Sequence, residues 1–149
     1  MTAPPVLIRE AGADDFGFLV DTWRRSFSEG DSSALHAFDR DVYFRLMARH
    51  IKALSREPGA VCVVACDPGD PDTVVGFAML TGTELQYVYV RASFRKMGIA
   101  RLLLEGRDVK TYAFKTRQGL GRIRPEARGW TYAPRTAVWA DGKVRVEMA

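Results

Sequence analysis

The chain has 149 residues, 47% of them hydrophobic and 27% charged, which suits one soluble globular domain with a sizeable core. No apolar run reaches the ~18 residues that span a bilayer, so a membrane span is excluded. The net charge of +4 is unevenly spread: residues 1–94 hold nine Lys/Arg against thirteen Asp/Glu, a net −4, whereas residues 95–149 hold thirteen against five, a net +8.

The opening residues, from Met1 to Asp15, lack a basic segment followed by an apolar core. No signal peptide is therefore expected, and the expected location is the cytoplasm. Pro5 to Glu10 reads as a first strand. Asp14 or Asp15 then caps a helix whose apolar face is Phe16, Leu19, Val20, Trp23 and Phe27, at spacings of three and four. Ser28 to Ala37, rich in Ser, Gly and Asp, reads as a loop. Asp39 to Arg56 reads as a second helix with Tyr43, Met47, Ile51 and Leu54 inward. Arg45, Arg49, Lys52 and Arg56 form its other face, which reads as an ordinary wet helix surface. His36 and His50 have no clustered carboxylate or cysteine, so no metal site is expected.

Pro58-Gly59 ends that helix. Ala60 to Cys66 is a continuous apolar strand, read as buried on both faces. Its Cys62 and Cys66 lie four positions apart, ~13 Å along a strand at ~3.3 Å per residue. A disulfide needs Cα atoms within ~7 Å, so both are expected as buried free thiols. A turn-rich stretch from Asp67 to Asp72 joins it to a partner strand, Thr73 to Thr81. Thr81-Gly82-Thr83 turns into the next strand, where Leu85, Tyr87 and Tyr89 alternate with Gln86, Val88 and Val90.

Arg91 to Met97 breaks that alternation and carries Arg91, Arg95 and Lys96. Gly98 then opens an apolar helical run, with Ile99, Ala100, Leu102, Leu103 and Leu104, to Glu105. A helix N-terminus presents unpaired N–H groups and the positive end of a dipole. A glycine there lets a ligand approach the main chain, and two flanking cations complete a phosphate site. Beyond Glu105, Lys110 to Lys115 and Trp130 to Trp139 read as strands, the latter an edge or bulged strand because of Pro134. Gln118 to Arg128 holds two glycines and a proline and can carry only a short or broken helix. Asp141-Gly142 is a hairpin signal leading to Lys143–Met148.

The segment Arg95-Lys96-Met97-Gly98-Ile99-Ala100 resembles the R/Q-x-x-G-x-G/A loop of the GNAT superfamily of N-acetyltransferases, with Ala100 in the second small position. Tyr89-Val90 followed by Arg95 matches the family's strand end. Val75-Gly76-Phe77 resembles its third strand, and Ile8-Arg9-Glu10-Ala11 before Asp14-Asp15 is similar to its opening. The resemblance covers the element order through Glu105. It implies one α/β domain over residues 1–149, with a mixed, mostly antiparallel sheet flanked by helices.

It also implies a site. Arg95, Lys96, Met97, Gly98, Ile99 and Ala100 would bind the pyrophosphate of acetyl-coenzyme A. The backbone of Val88, Tyr89 and Val90 would hold the pantetheine arm and polarise the thioester carbonyl. The acceptor would be a primary amine of a small molecule or a protein. Glu84, the only carboxylate on the central strand, is the candidate general base, and a hairpin-end carboxylate without chemistry is its alternative. Tyr112 and Tyr132 are the candidate acids, with packed aromatics as their alternative. Ser26 and Ser93 have no His/Asp pattern around them, so no covalent nucleophile is expected.

The chain departs from the family where a longer helix bearing a tyrosine acid would follow the fifth strand. Its compact basic end looks like the short GNAT-like proteins of phages and prophages. The alternative function is therefore a weak or inactive GNAT-fold module that binds a partner or nucleic acid. Lys115, Arg117, Arg122, Arg124, Arg128 and Arg135 are interleaved with Trp130 and Tyr132, a pattern that also suits single strands. A homodimer is left open, and no membrane partner is expected.

Overall fold

The computed structural model describes residues 6–30, 40–113, 125, 128–133, 135–140 and 143–148. The first strand, β1 (Leu7–Glu10), leads through a 3₁₀ turn at Ala13–Asp15 into helix α1 (Phe16–Gly30). Neither candidate aspartate is the N-cap: Gly12 holds that position, and Asp15, the third residue of the 3₁₀ turn, reaches back so that its carboxylate accepts the Gly12 N–H at 2.7 Å. It also accepts from both terminal nitrogens of Arg9, at 2.7 and 3.0 Å. Helix α2 (Arg40–Ser55) follows, and Leu19, Val20, Trp23, Ile51 and Leu54 of the two helices are buried in one core. The expected loop between the helices falls largely on residues 31–39, outside the described residues.

Strands β2 (Ala60–Asp67), β3 (Asp70–Thr81) and β4 (Glu84–Val90) are joined by two-residue turns and pair antiparallel, with β1 on the outer side of β2. The turn-rich stretch is shorter than its composition suggests, because β3 begins at Asp70 rather than Thr73. Pro68-Gly69 alone makes the reversal, with the Asp67 carboxylate accepting the Gly69 N–H at 2.8 Å. Both faces of β4 are covered from Glu84 to Val88, so its alternating pattern marks two packed faces rather than a wet one.

A 3₁₀ turn at Ala92–Phe94 leads to helix α3 (Ile99–Leu103), which packs across β2, β3 and β4. The run read as a helix to Glu105 is thus only five residues long. Gly106 adopts a left-handed conformation, φ +76°, just beyond it and ends the helix. Strands β5 (Thr111–Tyr112) and β6 (Thr131–Tyr132) add to β4 in parallel, giving the order β1-β2-β3-β4-β5-β6.

The single strand expected over Trp130 to Trp139 is two strands. Thr131–Tyr132 ends the large sheet, and β7 (Arg135–Ala140) forms a separate antiparallel pair with β8 (Lys143–Met148). Pro134 stands between them in the sequence, and a residue without an N–H cannot carry a sheet ladder through. Ala140 pairs with Lys143, and β8 runs beside α2. The expected hairpin turn at Asp141-Gly142 itself lies outside the described residues. So do Phe114 and Lys115 of the expected fifth strand and, apart from Pro125 and Arg128, the glycine-rich stretch from Gln118.

Candidate active site

The central strand is irregular where the site is expected. Across the β3–β4 pair, Met79 faces Tyr87 and Leu80 faces Leu85, so Gln86 is an extra residue, a β-bulge. Cross-strand partners share a sheet face. Thr81 faces Glu84, Met79 faces Tyr87 and Phe77 faces Tyr89. Alternate residues of β3 therefore carry Glu84, Tyr87 and Tyr89 to a single face. Without the bulge, Glu84 and Tyr87, three positions apart, would point to opposite faces. That face is the one α1 covers, because Trp23 stacks on Tyr87 with ring centres 4.9 Å apart and planes 7° apart.

On this face Gln86 joins Glu84 to Thr81. Its Nε2 donates to the Thr81 hydroxyl at 2.7 Å and to Glu84 Oε1. All three residues are buried, Glu84 at 6% exposure. The alternation of the strand alone would set Gln86 and Glu84 apart from Tyr87, and only the bulge, which leaves no mark in the sequence, unites them. Further along the strand the Tyr87 hydroxyl lies 2.7 Å from Ser26 Oγ on α1.

Among the described residues, β4 pairs with β5 only at Glu84 and Leu85, with Ala113 N–H reaching the Leu85 carbonyl at 2.9 Å. Val88, Tyr89 and Val90 lie beyond that pairing. On the β3 side Gly76 stands opposite Val90, and a Cβ there would come within 2.8 Å of the Tyr89 carbonyl. Only glycine permits β3 to approach this end of β4 so closely.

Val90 leads into the basic loop, and Arg95 returns its Nε to the Val90 carbonyl at 2.9 Å. That bond fixes the start of the loop. Lys96 holds a left-handed backbone, φ +69°, uncommon for a residue with a side chain. Gly98 is also left-handed, at φ +78° and ψ +14°, and is followed by the helical Ile99. A left-handed residue before a right-handed one turns successive N–H groups toward a common point, an anion-binding nest. The first intrahelical bond is Leu102 N–H to the Gly98 carbonyl at 3.1 Å, which leaves the N–H groups of Ile99, Ala100 and Arg101 directed out of the helix end.

A methyl group added at Gly98 would meet no described atom within 4 Å, so the main chain there is approachable. Lys96 and Met97 are exposed and Ala100 is half-buried. The Ile99 side chain is 1% exposed and belongs to the core, so this residue has only its main chain to offer a ligand. Because α3 is five residues long, its aligned peptide dipoles are few, and the lysine and the nest must carry more of any anion's charge. A pyrophosphate fits this loop in charge and in access.

The candidate acids are adjacent. Thr111–Tyr112 and Thr131–Tyr132 are in register, and the rings of Tyr112 and Tyr132 lie 5.4 Å apart, inclined at 51°. Tyr112 is 1% exposed, within the core, while Tyr132 is 39% exposed. Cys66 is buried and Cys62 half-buried, both as free thiols. Burial, with the charge of Asp15 adding to it, pushes the Cys62 thiol up to about 12, so at neutral pH it holds its proton and is a poor nucleophile. Among the described residues no three His, Cys, Asp or Glu side chains gather as a metal site, and no helix is long and apolar enough to cross a membrane.

By sequence, no protein-family model and no curated protein matches the chain. Solved structures do. A possible acetyltransferase from Clostridium difficile superposes with a TM-score of 0.54 at 18% identity, covering 93% of this chain and 98% of that one. The PaiA N-acetyltransferase from Thermoplasma acidophilum, in complex with coenzyme A, gives 0.53 at 15% identity, covering 98% and 97%. The Corynebacterium glutamicum protein described as histone acetyltransferase HPA2 and related acetyltransferase gives 0.56 at 14% identity, covering 97% and 95%. With its bulged central strand, its glycine loop and its six-stranded, mostly antiparallel sheet, the chain has the GNAT acetyltransferase fold.

Proposed function

We propose that the chain transfers an acetyl group from acetyl-coenzyme A to a primary amine. The observation that carries this reading is the left-handed Gly98 loop at the end of β4, a strand that beyond Leu85 pairs only with β3 among the described residues. An extended pantetheine arm could take up the edge as an additional strand would, while the pyrophosphate meets Lys96 and the N–H groups of the loop. The neighbour bound to coenzyme A adds support from the same fold.

Bound acetyl-coenzyme A supplies an activated thioester. Transfer then requires the acceptor ammonium to lose one proton, the amine to form the C–N bond and shed a second proton, the C–S bond to break and the departing sulfur to gain a proton, with one proton released to solvent overall. Backbone N–H groups of Val88 to Val90 are assigned to the thioester oxygen. Glu84 is assigned to take the acceptor's proton through a chain of several waters: it lies ~13 Å before Val88 along the strand at ~3.3 Å per residue, too far for direct contact or one bridging water. Tyr132, the more exposed of the tyrosine pair, is assigned to return a proton, with Tyr112 packed beside it.

A cofactor-binding or interaction module without turnover is the second reading. What favours it is the burial of both Glu84 and Tyr112, two of the three candidate proton carriers. Calorimetry with acetyl-coenzyme A, followed by a free-thiol assay over an amine panel, separates the two. Saturable binding and thiol release with at least one amine support transfer; binding without release supports the module. Gly98→Val should lose at least about tenfold in affinity, because a β-branched residue is strained at φ +78° and fills the approach to the main chain. Equal affinity in a folded Gly98→Val variant would remove the loop from the site.

A further inference from the structure

The aromatic cluster beneath α1 contains a polar contact that its packing does not require. Trp23, Phe77, Tyr87 and Tyr89 pack ring against ring, with Phe77 6.1 Å from Tyr87 and 5.7 Å from Tyr89. Within it the hydroxyls of Ser26 and Tyr87 are 2.7 Å apart. Ser26 Oγ also donates to the Trp23 carbonyl at 3.2 Å, one turn back in α1. Either hydroxyl can donate across the short contact, and the order in which Tyr87 donates to Ser26 and Ser26 to the helix satisfies both contacts. Replacing two buried hydrogen-bonded partners by apolar groups of like shape is close to neutral for stability. What the bond adds is direction, which ring packing lacks.

The position of the bond gives that direction a use. Tyr87 directly follows the bulged Gln86 and lies two residues past the last β4–β5 pairing among the described residues. Ser26 sits in the last turns of α1, which ends at Gly30. On this face α1 is the element stacked over Tyr87, through Trp23. We infer that Ser26 and Tyr87 are a positioning pair, which holds the end of α1 over the bulge and so sets the geometry of the acceptor side. Neither residue is assigned a place among the reacting atoms. The inference rests on the acetyl-transfer reading for its functional consequence, but not for its structural one.

The test uses the full chain with Ser26→Ala, Tyr87→Phe and the double variant. Amide hydrogen exchange over residues 26–30 should quicken about tenfold in each variant, while the melting temperature stays within a few degrees of wild type. With phenethylamine, cadaverine and lysine as probe amines, the amine KM should rise several-fold and the KM for acetyl-coenzyme A should not move. The double variant should be no worse than either single one, because both remove the same bond. Unchanged exchange overturns the inference, as does an equal rise in both KM values, which would mark general loosening. A wild type that neither binds coenzyme A nor acetylates any amine sinks the transfer reading instead, and the exchange measurement then decides the pair by itself.

Discussion

Lys96 is where the backbone and the proposed ligand ask for different residues. A side chain in the left-handed region costs roughly 1–2 kcal/mol, which glycine avoids; part of that gain is lost again to the greater freedom of an unfolded glycine. At φ +69° Lys96→Gly should therefore leave stability unchanged or raise it by up to about 1 kcal/mol in urea unfolding. If the ammonium serves a phosphate, the same variant should bind coenzyme A about tenfold more weakly, since a charge-assisted contact is worth about 1.5 kcal/mol. A variant that is both stabler and weaker-binding locates the strain in the site; one with unaltered affinity would show that Lys96 has no part in it. Residue identity made this loop legible in the sequence, because Gly98 and its flanking cations are themselves the signal. Gln86 and the Ser26–Tyr87 contact were not legible: a bulge is a matter of register with a partner strand, and a serine 61 positions from its tyrosine carries no local pattern.

At the scale of elements, periodicity located nearly every strand and helix through Val90, and failed where apolar residues crowd and the stop signal beyond them goes unweighed. Leu102, Leu103 and Leu104 are good helix formers, yet Gly98 and Gly106 leave only seven residues between them, and the helix takes five, with Leu104 as its C-cap. Pro134 reads as a bulge within one strand, whereas the segments on either side of it belong to two sheets. The corner of β1 and α1 shows how such elements are held in place. Arg9 meets Asp15 with two hydrogen bonds and reaches the Pro71 carbonyl at 2.9 Å, tying β1, the α1 start and β3 together. The Arg9 guanidinium, with the Gly12 N–H, holds the Asp15 carboxyl below the usual carboxylate range. A carboxyl lowered on folding stabilises the native state above its unfolded value, near ~3.9, and that stability is lost as pH falls through the lower folded value. Asp15→Asn should cost about 1–3 kcal/mol at neutral pH. Its unfolding free energy should also vary less than that of wild type between about pH 5 and about pH 2. Parallel curves for the two proteins would mean that the pair adds nothing.

Over the whole molecule the question is what the basic half serves. Residues 95–149 carry a net +8 against −4 for the rest, and the change of sign falls at the proposed phosphate loop. A positive field draws coenzyme A, with its several phosphates, and draws nucleic acid equally well. The structure bears on the second possibility at one point. The Arg128 guanidinium lies 5.7 Å from the centre of the Trp130 ring, so one cation already occupies a face that a base would need for stacking, and Trp130 is half-buried against the core. Lys115, Arg117, Arg122 and Arg124 lie outside the described residues, and only the backbone of Arg135 is described. Contact with DNA is thus expected to be mainly electrostatic, with Tyr132 the exposed ring left for stacking, and each phosphate neutralised releases counterions, so affinity should fall steeply with salt. Titration of duplex and single-stranded DNA at two salt concentrations should show binding in dilute salt that is largely gone near physiological strength. Coenzyme A, seated by the directional N–H groups of the loop as well as by charge, should bind with a shallower salt dependence. Sub-micromolar DNA binding that persists near physiological salt, and vanishes when Arg122, Arg124 and Arg128 are neutralised together, would assign the basic half to nucleic acid and leave the cofactor loop as the secondary site.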